Sequence, residues 1–425
     1  MTKKTRYSLL LVGLIIFLIL APLIVLYVRG ITYDFATKSF VKTGILGIRT
    51  SPKNVDIFLN NKLKRQSSGD INFLTPGEYQ ITLKKQGYND WNKRLTVDVG
   101  QVTWANPVNN SIYLLISSPT PKVLDQKVLD FYGNGGGLIY LTDGYLTYSG
   151  QNYALPKTAN KILAVGNGGK NFVLSQNATS GPSSLLYFNS GSGQFTDLSA
   201  LFSGTPQIQF AGNGDLYALS NNTLYKVDVA TATKTAILQS VETFYWQGNS
   251  LYYIQQKQGT FSLAVSQDPF SQSQTLLSGV PKFSQGALFV TFGKQIFLEA
   301  DNSLYQDTGS FEKVADSIGN YNFDSQGSLL AFFQSGEFDY IDGGQNINVI
   351  TRSGETLNNL TVKTGIDYAF YSKNNQIGAI ELDNRGSQNQ YVLYSGQNLQ
   401  KFSMDSAGQN IILLDNGELK SIVIR

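Results

Sequence analysis

Gly212-Asn213-Gly214-Asp215-Leu216-Tyr217-Ala218-Leu219-Ser220-Asn221-Asn222-Thr223-Leu224-Tyr225-Lys226-Val227 reads as turn, strand, turn, strand. Its Gly and Asn positions suit tight turns, and the apolar runs between them have the length of short strands. The same opening recurs at Gly135-Gly136-Gly137-Leu138, Gly168-Gly169-Lys170-Asn171-Phe172, Gln247-Gly248-Asn249-Ser250-Leu251, Gln285-Gly286-Ala287-Leu288, Gln326-Gly327-Ser328-Leu329, Asn374-Asn375-Gln376-Ile377 and Gly408-Gln409-Asn410-Ile411. A second turn and strand follow, as in Asp415-Asn416-Gly417-Glu418-Leu419.

The starts at 135, 168, 212, 248, 286, 327, 375 and 408 lie 33 to 48 residues apart, an interval that brackets one four-stranded propeller blade. Eight openings predict eight blades, with seven as the alternative because the seventh unit looks short of a strand. The last opening leaves 18 residues, enough for two strands, so Lys122 to Leu124 and Val128 to Tyr132 are expected to complete that blade. Such a closure removes the exposed edges a sheet otherwise has to protect. The runs Phe323-Asp324-Ser325-Gln326-Gly327-Ser328-Leu329-Leu330 and Phe402-Ser403-Met404-Asp405-Ser406-Ala407-Gly408 resemble TolB-like WD-repeat propellers.

Upstream of Pro119-Thr120-Pro121 the pattern changes to strict alternation. Leu46, Ile48 and Thr50 alternate, then Val55, Ile57 and Leu59 up to the turn Asn60-Asn61, then Tyr79, Ile81 and Leu83, then Leu95, Val97 and Val99. One apolar and one polar face per strand make a small β-sandwich. Ile48-Arg49-Thr50-Ser51-Pro52, Val55-Asp56-Ile57-Phe58-Leu59-Asn60 and Thr75-Pro76-Gly77-Glu78-Tyr79, followed by Gly87-Tyr88, resemble a PEGA domain over about residues 44 to 115. Pro-Gly-Glu-Tyr stands where the family's name spells Pro-Glu-Gly-Ala. The resemblance brings no catalytic residues and implies an extracytoplasmic spacer or adhesive module.

Tyr7 to Val28 is a run of 22 uncharged, mostly aliphatic residues. As a helix it reaches about 33 Å, enough to cross a bilayer, and Pro22 inside it is tolerated in lipid as a kink. Lys3, Lys4 and Arg6 precede it and only Arg29 follows closely, which predicts a cytoplasmic N-terminus and extracytoplasmic remainder. The rival reading, a cleaved signal peptide, lacks a small-x-small site in Leu26-Tyr27-Val28-Arg29-Gly30. The expected order is a cytoplasmic tip (1–6), a transmembrane helix (7–28), a stalk (29–43), a PEGA-like β domain (44–118) and a propeller (119–425).

The 425 residues contain no Cys and no His. That excludes disulfides, thiol nucleophiles, Ser-His-Asp triads and the usual zinc sites, while carboxylate chemistry and oxygen-ligated calcium stay open. Asp301-Asn302-Ser303, Asp383-Asn384-Arg385-Gly386 and Asp415-Asn416-Gly417 lack the spacing of a calcium loop and read as turns. Glu337, Asp339 and Asp342 read as surface charge, and Trp91, Trp104, Trp246, Tyr245, Tyr252 and Tyr253 mostly as packing. Gly133-Asn134-Gly135-Gly136-Gly137 lacks the Lys-Ser/Thr and helix of a phosphate loop.

Residues 1–119 carry 15 Lys and Arg against 6 Asp and Glu, and residues 120–425 carry 18 against 24. Ordinary solubility accounts for this asymmetry. The sharper reading sets Lys62, Lys64, Arg65, Lys84, Lys85, Lys93 and Arg94 against anionic lipid or a wall polymer. The sequence thus predicts an all-β ectodomain, sandwich plus propeller, anchored in the cell membrane by one helix and binding an envelope protein or polymer. No catalytic residue, cofactor, metal or nucleic-acid partner is expected. The alternatives are a carboxylate-dependent glycan hydrolase or lyase in the propeller funnel, and a purely structural surface component.

Overall fold

The strands are short and aromatic-rich because the chain alternates turn formers with runs of four to eight apolar residues, and their pairing sorts them into two compact units. The computed structural model describes residues 3–425 apart from 36, 108–110, 135–136, 177–183, 268–272, 291–293, 325–328, 335, 342–346, 364 and 406. Gly135, Gly136, Ser325 to Ser328, Asp342 and Ser406, named above, lie outside the described residues.

The first unit comprises residues 1–117, 381–389 and 425. Its helix, Lys3–Val28, runs through Pro22, and the stretch Tyr7–Val28 is long and apolar enough to cross a membrane, with none of it buried inside the protein. The stretch expected as a stalk is a hairpin, Ile31–Asp34 against Ser39–Lys42. Beyond it stand a three-stranded sheet, Val102–Trp104, Gly44–Ile48 and Gly69–Leu74, and a four-stranded one, Lys62–Arg65, Asp56–Leu59, Gly77–Lys84 and Trp91–Val97. Leu46 and Ile48 from one sheet meet Ile57, Leu59, Ile81, Leu83, Trp91, Leu95 and Val97 from the other in one buried core. Asn60 and Asn61 both adopt positive φ, 49° and 63°, and join Leu59 to Lys62 by the two-residue turn that suits strand twist. Gly47 admits the neighbouring indole: a Cβ there would lie 2.6 Å from the Trp104 ring.

The second unit, residues 118–380 and 390–424, contains eight four-stranded antiparallel sheets among the described residues. Seven are meanders in chain order. The eighth joins Leu399–Met404, Asn410–Asp415 and Glu418–Val423 to Lys122–Gln126 from the other end of the unit. This corrects one expectation: Val128–Asn134 does not complete the last sheet but opens the first one. The seventh sheet has all four strands, Asn358–Thr361, Tyr368–Lys373, Gln376–Glu381 and Gln390–Ser395.

Each middle strand is apolar on both faces because each face packs on a different sheet. Phe172 and Leu174 meet Ile139 and Leu141 of the sheet before, whereas Val173 between them meets Ile208 and Leu216 of the sheet after. Leu251 and Tyr253 likewise join the core containing Tyr217, and Tyr252 and Ile254 the core containing Leu288. Val128 and Phe131 pack with Leu414 and Leu419, so the first and last sheets share a core too. Sheets covered on both faces read as near-continuous apolar runs.

Candidate functional site

The basic residues are distributed rather than gathered. Lys62, Lys64 and Arg65 are exposed on an edge strand of the four-stranded sheet, and Arg94 is exposed on the strand at the opposite edge. Lys84 pairs with Asp90 at 2.9 Å, and the Lys85 ammonium donates to the carbonyls of Lys53 and Asn54. Lys93 departs from the surface reading altogether: it is 0% exposed. It lies in the inward phase of the strand Trp91–Val97, between Trp91 and Leu95, so the alternation that drives Trp91, Leu95 and Val97 into the core carries Lys93 with them.

A buried cation needs partners, and the segment 381–389 supplies them within the first unit. Lys93 Nζ lies 3.0 Å from Glu381 Oε2 and 3.3 Å from Asp383 Oδ2, and donates to the Asp383 carbonyl at 2.7 Å. Trp91 Nε1 donates to Glu381 Oε1 at 3.0 Å. Arg385 closes on both Asp383 oxygens and donates to the carbonyls of Trp104 and Ala105. Asn389 brackets the peptide edge of Asn92, accepting its N–H at 2.9 Å and donating to its C=O at 3.1 Å, and also donates to Glu381 Oε2. Burial alone would raise the Asp383 pKa, but the Arg385 hydrogen bond and the Lys93 charge outweigh it and hold the carboxyl below its ordinary value. Two cations and two carboxylates neutralise one another here. The site is an internal fastening with its oxygens occupied, and Asp383 serves cations of the chain itself.

Beside it a groove of about 560 Å³ opens between Glu78, Arg94, Thr96, Thr103, Trp104 and Arg385. Its two guanidinium groups stand with the Glu78 and Asp98 carboxylates beside one indole and two hydroxyls, so the lining is mixed in charge and suits a hydroxyl-rich chain better than an anionic one.

In the second unit the first strands follow one another around the ring, and their polar side chains stitch each to the next. Asp130 accepts the Ile162 N–H, Gln209 takes the Trp246 N–H, Asn322 takes the Val362 N–H, and Ser403 donates to the Gly133 carbonyl. Asp130 is further paired with Lys401 at 2.9 Å. The remaining acidic candidates are separated in role. Glu337 pairs with Arg352 at 2.6 Å, whereas Asp339 is buried, with one oxygen accepting from Gln334 and the other unbonded. Burial raises the Asp339 pKa, and the Glu337 charge adds to this. Asp301 accepts the N–H groups of Ser284 and Gln285, and Asp415 those of Gln397 and Asn398, so both carboxylates organise turns. Trp246 packs on Tyr217 inside the ring.

The signal for Lys93 was present in the sequence, a lysine in the apolar phase of an alternating strand. Its partners lie some 290 residues away. No local pattern connects them.

A ring of four-stranded meanders closed between its two ends is a β-propeller, and a small β-sandwich precedes it. Residues 43–111 match the PEGA domain family. No curated protein matches the chain. Among solved structures it is similar to the C-terminal WD40 domain of Sif2, at 12% identity and TM-score 0.48, covering 73% of this chain and 96% of that one. It is similar to a eukaryotic initiation factor at 12% identity and TM-score 0.49, covering 79% and 89%. An oligogalacturonate lyase in complex with manganese matches at 11% identity and TM-score 0.42, covering 73% and 99%.

Proposed function

We propose that this chain is a non-enzymatic, membrane-anchored scaffold of the cell envelope whose propeller binds another protein or an envelope polymer. The N-terminus lies in the cytoplasm and the PEGA domain and propeller outside. The observation that carries the reading is the succession in one chain of a helix able to span a bilayer, a PEGA domain and a propeller. The cytoplasmic placement of the tip follows from Lys3, Lys4 and Arg6 ahead of the span. Among the described residues, what supports the non-enzymatic reading is that Gln209, Asn322 and Ser403 on inner strands bond to the neighbouring strand and that Asp130 is paired with Lys401. Most glycosidases act through two carboxyl groups flanking one cleft.

The test is an untargeted pull-down from detergent-solubilised membranes with the full chain as bait. A specific protein or polymer retained through washing is the expected result. Recovery of none, with the bait intact, counts against the scaffold. Release of reducing or unsaturated ends from envelope polysaccharide by the purified chain would overturn the non-enzymatic half.

A further inference from the structure

The hairpin that follows the helix carries three aromatic rings that the protein does not cover. Tyr33 and Phe40 face each other across the two strands, their ring centroids 5.3 Å apart, and Phe35 stands 5.1 Å from Tyr33 in edge contact. Residues two apart in a strand share a face, so Tyr33 and Phe40 lie on one side with Ile31 and Lys42, while Thr32, Asp34, Ser39 and Val41 take the other; Phe35, in the turn, joins the first side through its contact with Tyr33. Phe35 is 85% exposed, Phe40 63% and Tyr33 40%. Scattered exposed apolar residues are ordinary, but three rings in edge contact on a hairpin of two four-residue strands form a contiguous patch.

Position identifies the occupant. The spanning stretch ends at Val28 and the hairpin begins at Ile31. Gly30 N–H donates to the Tyr27 carbonyl at 3.0 Å, and Thr43 returns both its N–H, at 2.8 Å, and its hydroxyl, at 2.7 Å, to the Gly30 carbonyl. The base of the hairpin is thereby pinned to the helix end. Two four-residue strands extend no more than about 14 Å from that base, so the rings stay within reach of the headgroup layer. Tyr27 and Phe73, ring centroids 4.7 Å apart, add two further aromatics at this level. Lys38 and Lys42 on the hairpin and Arg29 at its root offer cations to lipid phosphates. Aromatic rings near cations are the composition that partitions into the membrane–water boundary.

We infer that Tyr33, Phe35 and Phe40 dock into the interface of the same bilayer that the helix spans, making the hairpin a second contact that fixes how the chain leaves the membrane. The inference rests on the anchor reading above, and the experiment separates the two. Because the chain has no Cys, single substitutions give unique spin-label sites in the full-length protein reconstituted into nanodiscs of phosphatidylcholine and phosphatidylglycerol. Labels are placed at Phe17→Cys in the helix, Phe35→Cys on the aromatic face and Ser39→Cys on the polar face, and collision with oxygen and with a water-soluble nickel chelate is compared.

The expected result is a Phe17 site deep in hydrocarbon, a Phe35 site about 5–10 Å into the interfacial layer and a Ser39 site in water. Adding Tyr33→Ser and Phe40→Ser should return the label at position 35 to water while leaving position 17 deep. A label at 35 as open to nickel as the one at 39, with 17 deep, overturns the docking and leaves the anchor standing. Dipolar broadening at 35 that disappears on dilution with unlabelled chain would assign the face to a second copy and also overturn it. A nickel-accessible position 17 removes the anchor and the docking together.

Discussion

Lys93 shows how much a single side chain can hold. Replacing it by Ala leaves the Glu381 and Asp383 carboxylates buried without their shared cation, and breaking a buried pair from one side costs about 3–5 kcal/mol. Lys93→Ala is therefore expected to lower the unfolding midpoint of the first unit sharply in a denaturant titration. Lys93→Met combined with Glu381→Gln should recover much of that loss, since Asp383 keeps its Arg385 partner and no charge is left stranded. A double variant no better than Lys93→Ala would contradict the ionic account. Asp383 also sets a pH dependence: its pKa is held below the ordinary value, so its contribution is present above about pH 4 and fades as pH falls through the folded value.

Asp339 has the opposite sign, because its pKa is raised; protonation favours the folded chain, and the stability cost of burying this group grows as pH rises above the ordinary carboxylate range. Asp339→Asn is expected to stabilise by about 1 kcal/mol at pH 7, with the gain vanishing below about pH 4. A pH series of thermal melts with no such convergence would rule this out. At this scale the sequence was half legible. The strand phase of Lys93 was written in Trp91, Leu95 and Val97, but the partner segment was read as a turn. Its role depends on a contact spanning most of the chain, which local spacing does not encode.

At the scale of elements, the repeated Asn pairs carry the most information. Asn60-Asn61, Asn221-Asn222 and Asn374-Asn375 all have positive φ at both positions, the conformation that joins twisted strands through two residues. This is why the strands themselves were legible from turn residues and apolar runs. Their phase was less so. The openings at 168, 212, 248 and 408 fall between first and second strands, whereas Gly286 begins a first strand and Asn374-Asn375 joins a second strand to a third. One turn chemistry serves several places in a four-stranded meander, so it marks hairpins without saying which.

The strand whose place matters most is Lys122–Gln126, which pairs with Glu418–Val423 and brings the chain back to its own end, with the Val128 N–H bonded to the Gly417 carbonyl at 2.9 Å. Deleting residues 122–126 exposes the ladder edge of Glu418–Val423, and exposed edges template pairing with other chains. The deleted variant is expected to self-associate at concentrations where the parent chain stays disperse, as measured by light scattering in detergent. An unchanged mass would mean that the closing strand is dispensable.

Over the whole molecule, charge follows the order of the chain, basic in residues 1–119 and mildly acidic in residues 120–425. The structure narrows which cations carry that asymmetry outward. Lys93 is internal, Lys84 and Lys85 are engaged within the domain, and Arg94 lies across the sheet from the strand Lys62–Arg65. Lys62 and Arg65 stand opposite Leu59 and Ile57 on an exposed edge strand, and Lys64 is the extra residue of the bulge between them. A lysine-bearing edge discourages strand addition, which accounts for these residues without any ligand. An anionic surface predicts something further, a loss of binding that scales with charge removed there and not elsewhere.

Changing Lys62, Lys64 and Arg65 together to Gln should shift elution of the full chain from dextran sulfate to lower salt. Exposed pairs are worth about 0.2–1 kcal/mol each and are screened beyond about 8 Å at physiological ionic strength. Lys257→Gln, an exposed site in the second unit, should leave elution nearly unchanged. Equal shifts per charge at both sites would mean that the resin reads net charge alone, and the edge strand would keep only its role of blocking aggregation.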